Sequence, residues 1–161
     1  MNKEEYKILK KAVLIEQEGF DFYMLAAART EDEDTRAAFE KIAGEEQKHI
    51  NWLKELYNKM SGAEDTELSF ENPPEKPGIF DWEKKDIFKG SLALSVFSIG
   101  VKMEKEAIEF YKKAAKNSQS SEAKELYETL IEWEKGHMEE FQNHYELLQE
   151  DWWNEQGFAP F

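Results

Sequence analysis

The strongest constraint on this chain is an internal echo at an offset of 88 residues. Glu16, Glu46 and His49 recur as Glu104, Glu134 and His137, with no gap in register. Glu46-Gln47-Lys48-His49 and Glu134-Lys135-Gly136-His137 are both E-x-x-H motifs, each with a glutamate 30 residues upstream, in a chain with three histidines. The same offset matches Val13 to Val101, Glu18 to Glu106, Phe22 to Phe110, Tyr23 to Tyr111, Ala26 and Ala27 to Ala114 and Ala115, Glu40 to Glu128 and Tyr57 to Tyr145. Two equivalent units of this kind can pack about a pseudo-two-fold axis and create a symmetric centre between them.

Each unit reads as a pair of helices. From about Lys3 to Arg29, residues Tyr6, Leu9, Val13, Glu16, Phe20, Tyr23 and Ala27 recur at three- and four-residue spacings, one face of a 3.6-period helix. Thr30-Glu31-Asp32-Glu33 fits a capping box that opens a second helix. Ala38, Ile42, Glu46, His49, Leu53 and Leu56 form its inner face, and Gly62 offers a left-handed stop. Helices are expected again from about Ser91 to Lys116 and from about Ser121 to Gln149, with Asn117 to Ser120 as the turn between them. The intervening segment, 61–90, carries Pro73, Pro74 and Pro77, which break regular structure, and Phe70, Ile79, Phe80 and Trp82, which are suited to pinning it to the helices. The aromatic tail, 150–161, is expected to dock rather than hang free. Helices of this length are roughly 40 Å long, and an extended linker of about 25 residues reaches roughly 80 Å. The expectation is therefore an all-α, ferritin-like four-helix bundle, a single domain over 1–161, with hairpins 3–60 and 91–149 joined by a long crossover.

Bulk composition narrows the chemistry. At 161 residues, 40% hydrophobic and 14% aromatic, the chain can bury a real core. A net charge of −14 with scattered lysines argues against nucleic acid and anionic membranes as partners. The absence of cysteine rules out thiolate catalysis, disulfides and cysteine-ligated metals in this chain. No stretch approaches a membrane span, and the charged start has no apolar signal region, so a cytoplasmic location is expected.

Within E-x-x-H the two side chains stand nearly one above the other on a helix face, so both reach one metal or a close pair. All six candidates lie on apolar faces, and a buried carboxylate costs several kcal/mol unless paired or coordinated. Two divalent ions balance four carboxylates. Carboxylate-rich donors with one imidazole per ion suit iron, manganese or a mixed pair. Glu46 and Glu134 are placed as bridges, with Glu16 and His49 completing one ion and Glu104 and His137 the other. One E-x-x-H among 35 acidic residues is cheap and is surface decoration more often than not. Two with matched upstream glutamates are much harder to obtain from composition. Tyr23 and Tyr111, two turns along from Glu16 and Glu104, are candidates for binding ligand carboxylates or carrying an electron, or else are aromatic core. His144 has Leu56 at its equivalent position and reads as structural. The five tryptophans fit either packing or an electron route.

With Glu16-x6-Tyr23, Glu46-x-x-His49, Glu104-x6-Tyr111 and Glu134-x-x-His137 in place, the chain resembles rubrerythrins of the ferritin-like superfamily. The resemblance implies a non-haem di-iron centre that reduces hydrogen peroxide, or sometimes dioxygen, with electrons from an external donor. Two departures stand out. Typical rubrerythrins carry a four-cysteine rubredoxin domain, so here the donor is expected to be a separate rubredoxin-like protein or a small reductant. Their extra glutamate, three residues after the third-helix ligand, is Ala107 here, with Gly19 as its mate, which leaves a plainer six-ligand set. Two other functions fit the same residues: a ferroxidase that handles iron, and a non-catalytic metal-binding bundle. The long exposed helices and aromatic tail suggest a homodimer.

Overall fold

Four α-helices form every regular element among the described residues, which in this computed structural model are 3–62, 92–155 and Gly157. They are α1 (Lys3–Arg29), α2 (Glu33–Ser61), α3 (Leu92–Asn117) and α4 (Ser121–Glu155). None is long and apolar enough to cross a membrane. The fold is an all-α, ferritin-like bundle.

On α1 the buried side is Leu9, Ala12, Val13, Glu16, Gly19, Phe22, Tyr23, Ala26 and Ala27, the three- and four-residue stripe expected of a core-facing helix. On α2 it is Phe39, Ile42, Ala43, Glu46, His49, Ile50, Leu53 and Leu56. These stripes pack α1 along α2 and α3 along α4, and the two hairpins meet through α2–α4 and α1–α3.

The core is split in two. One apolar cluster joins Leu9, Ala12 and Val13 of α1 to Ile50, Leu53 and Leu56 of α2, Ala107 to Ala115 of α3 and Ala123 to Ile131 of α4. The other joins Phe22 to Ala27, Phe39 to Ala43, Val96 with Phe97, and Phe141. In sequence order all six candidate ligands fall between these clusters on their helices, so a layer of carboxylates and imidazoles is clamped by hydrocarbon above and below. The clusters also give the topology. The C-terminal half of α2 lies in the first and the N-terminal turns of α3 in the second, which is the end-point geometry of a crossover.

The boundaries differ from expectation at the start of α2 and at the end of α4. Thr30 does not open α2; its hydroxyl donates to Ala26 O at 2.7 Å and closes α1. Asp32 is the N-cap, accepting from the Thr35 amide at 2.9 Å and the Thr35 hydroxyl at 2.6 Å, contacts that hold its carboxyl below the usual range. The stretch from Thr30 to Thr35 offers overlapping cap patterns, and the anionic acceptor wins at the positive end of a helix. The second hairpin does not end at 149, because α4 continues to Glu155 and takes up the first half of the segment assigned to the tail. Between Gln149 and Gly157 no glycine or proline interrupts it, and Gly157 then adopts a φ of 73°. Trp153, in that extension, is 40% exposed. Expectations for the crossover anchors and for 158–161 lie outside the described residues.

At the far end Glu5 is buried, its carboxylate accepting from Tyr127 Oη at 2.9 Å and Ser118 Oγ at 3.0 Å. This ties the start of α1 to the α3–α4 turn, and nothing in the sequence pattern signalled it. Gly62 ends α2 in the left-handed conformation, φ 68°, as its position suggested.

Candidate metal centre

Each helix carries its candidates on its most buried line. Glu16 on α1, Glu46 and His49 on α2, Glu104 on α3, and Glu134 and His137 on α4 are each no more than 3% exposed. The three-residue step between Glu46 and His49, and between Glu134 and His137, points both members of each pair to the bundle axis.

The structure brings all six together. His49 Nδ1 lies 2.9 Å from Glu134 Oε1, 3.2 Å from Glu16 Oε2 and 4.0 Å from Glu46 Oε2. His137 Nδ1 lies 3.0 Å from Glu46 Oε1, 3.3 Å from Glu134 Oε2 and 3.5 Å from Glu104 Oε1. The imidazoles face one another with centroids 5.9 Å apart. Donor atoms within 4.8 Å of one another form two groups: Glu16, Glu46, His49 and Glu134, and Glu46, Glu104, Glu134 and His137. Glu46 and Glu134 belong to both, which is the arrangement that two bridging carboxylates produce.

Tyr23 and Tyr111 cross between the hairpins. Tyr23 Oη donates to Glu104 Oε1 at 2.5 Å, and Tyr111 Oη donates to Glu16 Oε1. The sequence had put each tyrosine on the same helix face as its own upstream glutamate; in the fold each serves the glutamate of the other half. His144 stacks on Phe97 with centroids 5.4 Å apart, away from the centre.

The electrostatics are those of a site with too many acids. Among the described residues no lysine or arginine is buried. Burial, followed by the neighbouring carboxylates, pushes Glu46 and Glu104 well above the usual range. Glu134 is raised by burial and then by Glu16, against the opposing pull of its close neighbours Glu104 and His137. Burial pushes Glu16 up too, but hydrogen bonds with Glu46 and His49, the His49 ring and Tyr111 outweigh it and hold Glu16 low. Burial alone would lower His137, yet the close carboxylates of Glu104, Glu134 and Glu46 raise it strongly. Both tyrosines are raised by burial and then by their carboxylate partners, so they remain protonated donors.

The donor set suits a pair of cations. Glu46 Oε1, both carboxylate oxygens of Glu134 and His137 Nδ1 are buried without a hydrogen-bonding partner. Unsatisfied acceptors converging in a low-dielectric layer are costly unless a positive charge meets them. Carboxylate and imidazole donors in this proportion match divalent iron or manganese. Gly19 makes room: a Cβ there would lie 3.2 Å from Glu46 Oε2.

A cavity of about 260 Å³ opens onto the layer from the α1–α3 side, lined in part by Glu16, Gly19, Tyr23, Glu46, Glu104, Ala107 and Glu134. Its lining keeps the repeat, since Ile15 and Met103, Glu18 and Glu106, and Gly19 and Ala107 are related by the 88-residue offset.

Three neighbours were missed by the sequence reading. Glu45 Oε2 lies 2.6 Å from His137 Nε2, while Trp52 and Trp133 pack against the His49 ring at 5.4 and 5.5 Å. Glu45 follows Gly44 on a more exposed side of α2, and only the approach of α4 gives it a partner.

The sequence model of the Rubrerythrin family matches residues 7–145 of the chain. No curated protein matches it. A solved structure, that of a hypothetical protein from Pyrococcus furiosus, is similar with a TM-score of 0.70 at 26% identity, covering 91% of this chain and 90% of that one.

Proposed function

Because the chain belongs to the rubrerythrin family, we propose that it is a non-haem di-iron oxidoreductase that reduces hydrogen peroxide, or dioxygen, with electrons from an external donor. The observation that carries this reading is the cavity of about 260 Å³ on the α1–α3 side, which touches all four carboxylates of the layer and suits a small oxidant. The opposite, α2–α4 side of the layer carries the two histidines.

Glu16 with His49 would hold one ion and Glu104 with His137 the other, with Glu46 and Glu134 shared between them. Two ferrous ions there would supply one electron each and act as Lewis acids. Peroxide, two electrons and two protons give two waters, and the donor, a rubredoxin-like protein or a small reductant, returns the two electrons. Tyr23 and Tyr111 orient Glu104 and Glu16 by donating to one oxygen of each. Their raised pKa values keep them as donors and prevent phenolate ligation. The two apolar clusters exclude water from above and below, and the cavity gives the oxidant an approach from the α1–α3 side.

The test is metal analysis after native purification, then anaerobic ferrous loading and rapid mixing with peroxide and with dioxygen, repeated on Glu46→Ala. Two metals per chain and faster oxidation by peroxide are expected, with both lost in the variant. Uptake of many irons per chain, with dioxygen preferred, would replace this reading by iron handling. Protein that takes up no metal would leave a non-catalytic bundle.

A further inference from the structure

One of the positions at which the internal repeat fails beside the centre is Glu45. Glu45 corresponds to Trp133 through the 88-residue offset, although the residues that follow them, Glu46 and Glu134, are identical. The consequence falls on the outer nitrogens of the two imidazoles. His137 turns Nε2 to Glu45 at 2.6 Å. A carboxylate can only accept, so Nε2 carries a hydrogen, and Nδ1, which faces Glu46, Glu104 and Glu134, is the nitrogen left to bind a metal. His49 presents Nδ1 to the same layer, but its Nε2 is buried and has no hydrogen-bonding partner among the described residues. Trp133 meets the His49 ring edge-on at 5.5 Å, Trp52 lies on it at 5.4 Å, and the two indoles touch at 5.8 Å. One imidazole is held by an anion and the other is boxed in by aromatic rings.

Resting on the di-metal reading above, we propose that Glu45 is a positioning residue for His137 that makes the two metal positions unequal, the His137 position being the tighter. The hydrogen bond fixes the tautomer, orients the ring and strengthens Nδ1 as a donor. Removing such a partner lowers metal affinity by about 10- to 100-fold. His49 keeps its orientation through packing alone and has no anion to strengthen it. Glu45 also lines a surface pocket with Lys41, Glu132, Trp133, Gly136, His137 and Glu140, so the strengthened imidazole is the one nearer solvent on the α2–α4 side.

Cobalt(II) serves as the probe, titrated into the metal-free protein and followed by visible absorption and by the hyperfine-shifted imidazole N–H protons in NMR. Because Glu46 and Glu134 are shared, two steps arise even in a symmetric centre; the selectivity of the Glu45 effect is what discriminates. In Glu45→Ala the tighter step should weaken about 10- to 100-fold, with one N–H signal displaced and the other unmoved. Glu45→Gln keeps an accepting oxygen without the charge and should fall in between. Far-UV circular dichroism checks that each variant is folded, and Glu45→Gln carries the test if Glu45→Ala is not. Two bound cobalt ions with both steps weakened alike, or neither, would overturn the inequality while leaving the di-metal centre standing. A wild-type protein that binds no cobalt would remove the centre itself.

Discussion

Replacing Gly19 by alanine adds one methyl group where α1 passes the Glu46 carboxylate. Its Cβ would lie 3.2 Å from Glu46 Oε2, 3.5 Å from Cδ and 3.7 Å from Cγ, so the carboxylate must retreat by a few tenths of an ångström. In the metal-free protein that carboxylate is the far end of a flexible side chain and can move. Alanine in place of glycine inside a helix gains about 0.8–1 kcal/mol, which in a chain of this size is a rise in Tm of roughly 2–4 °C. With metal bound, Glu46 is proposed to bridge both ions and has no such freedom. A displacement of this size at a coordinating group is comparable with the roughly 0.5 Å tolerance of a preorganised site. Metal affinity should fall at least about tenfold, or about 1.4 kcal/mol. The two effects have opposite signs, so the stabilisation by metal should shrink while the metal-free protein gains. Thermal melts with and without cobalt(II), together with a metal titration, measure both. Undiminished affinity in Gly19→Ala would refute the assignment of Glu46 as a ligand confined against α1.

Tyr23→Phe and Tyr111→Phe each remove a buried cross-hairpin hydrogen bond to a carboxylate, and each should lower stability in urea by about 1–3 kcal/mol; a change within a few tenths would contradict the pairing. The metal-free fold should lose stability as pH rises from about 5.5 to 7.5. Glu46 and Glu104, held well above the ordinary value of 4.5, and Glu134, also raised, bind protons more tightly in the folded form, so their contribution declines as pH rises above 4.5; His137 acts in the same direction above 6.5, and Glu16, held low, opposes them only below 4.5. Metal loading should reverse the trend, because cations displace those protons. Urea midpoints at the two pH values, with and without cobalt(II), decide it. Phe141→Ala empties the second apolar cluster, where the ring packs against Tyr23, Phe39 and Phe97, and should cost about 3–5 kcal/mol by urea denaturation.

Much of the architecture was written in local pattern. The three- and four-residue apolar spacing that places Leu9, Val13 and Glu16 on one face of α1 needs no tertiary contact to be read, since it follows from the helical period. The 88-residue offset likewise singles out Glu16, Glu46, His49, Glu104, Glu134 and His137 as a candidate set, because a repeat is a property of the string. Where patterns overlapped, as with Thr30 and Asp32 before α2, periodicity could not choose, and hydrogen-bond strength at the helix end did. The extension of α4 to Glu155 shows the same limit, since aromatic composition does not stop a helix that meets no breaker.

Residue spacing along one chain sets four helices, their inward faces and the matched pair of E-x-x-H motifs. It takes the packed bundle to show that Tyr23 serves Glu104 and Tyr111 serves Glu16, that Glu5 ties α1 to Ser118 and Tyr127, and that Glu45 meets His137 while Trp133 meets His49. Each of these contacts joins different helices across the bundle, and which side chains meet there depends on how the helices are rotated and staggered against one another. The chain repeats its ligands faithfully, but the packing around them is where the two halves cease to be equivalent.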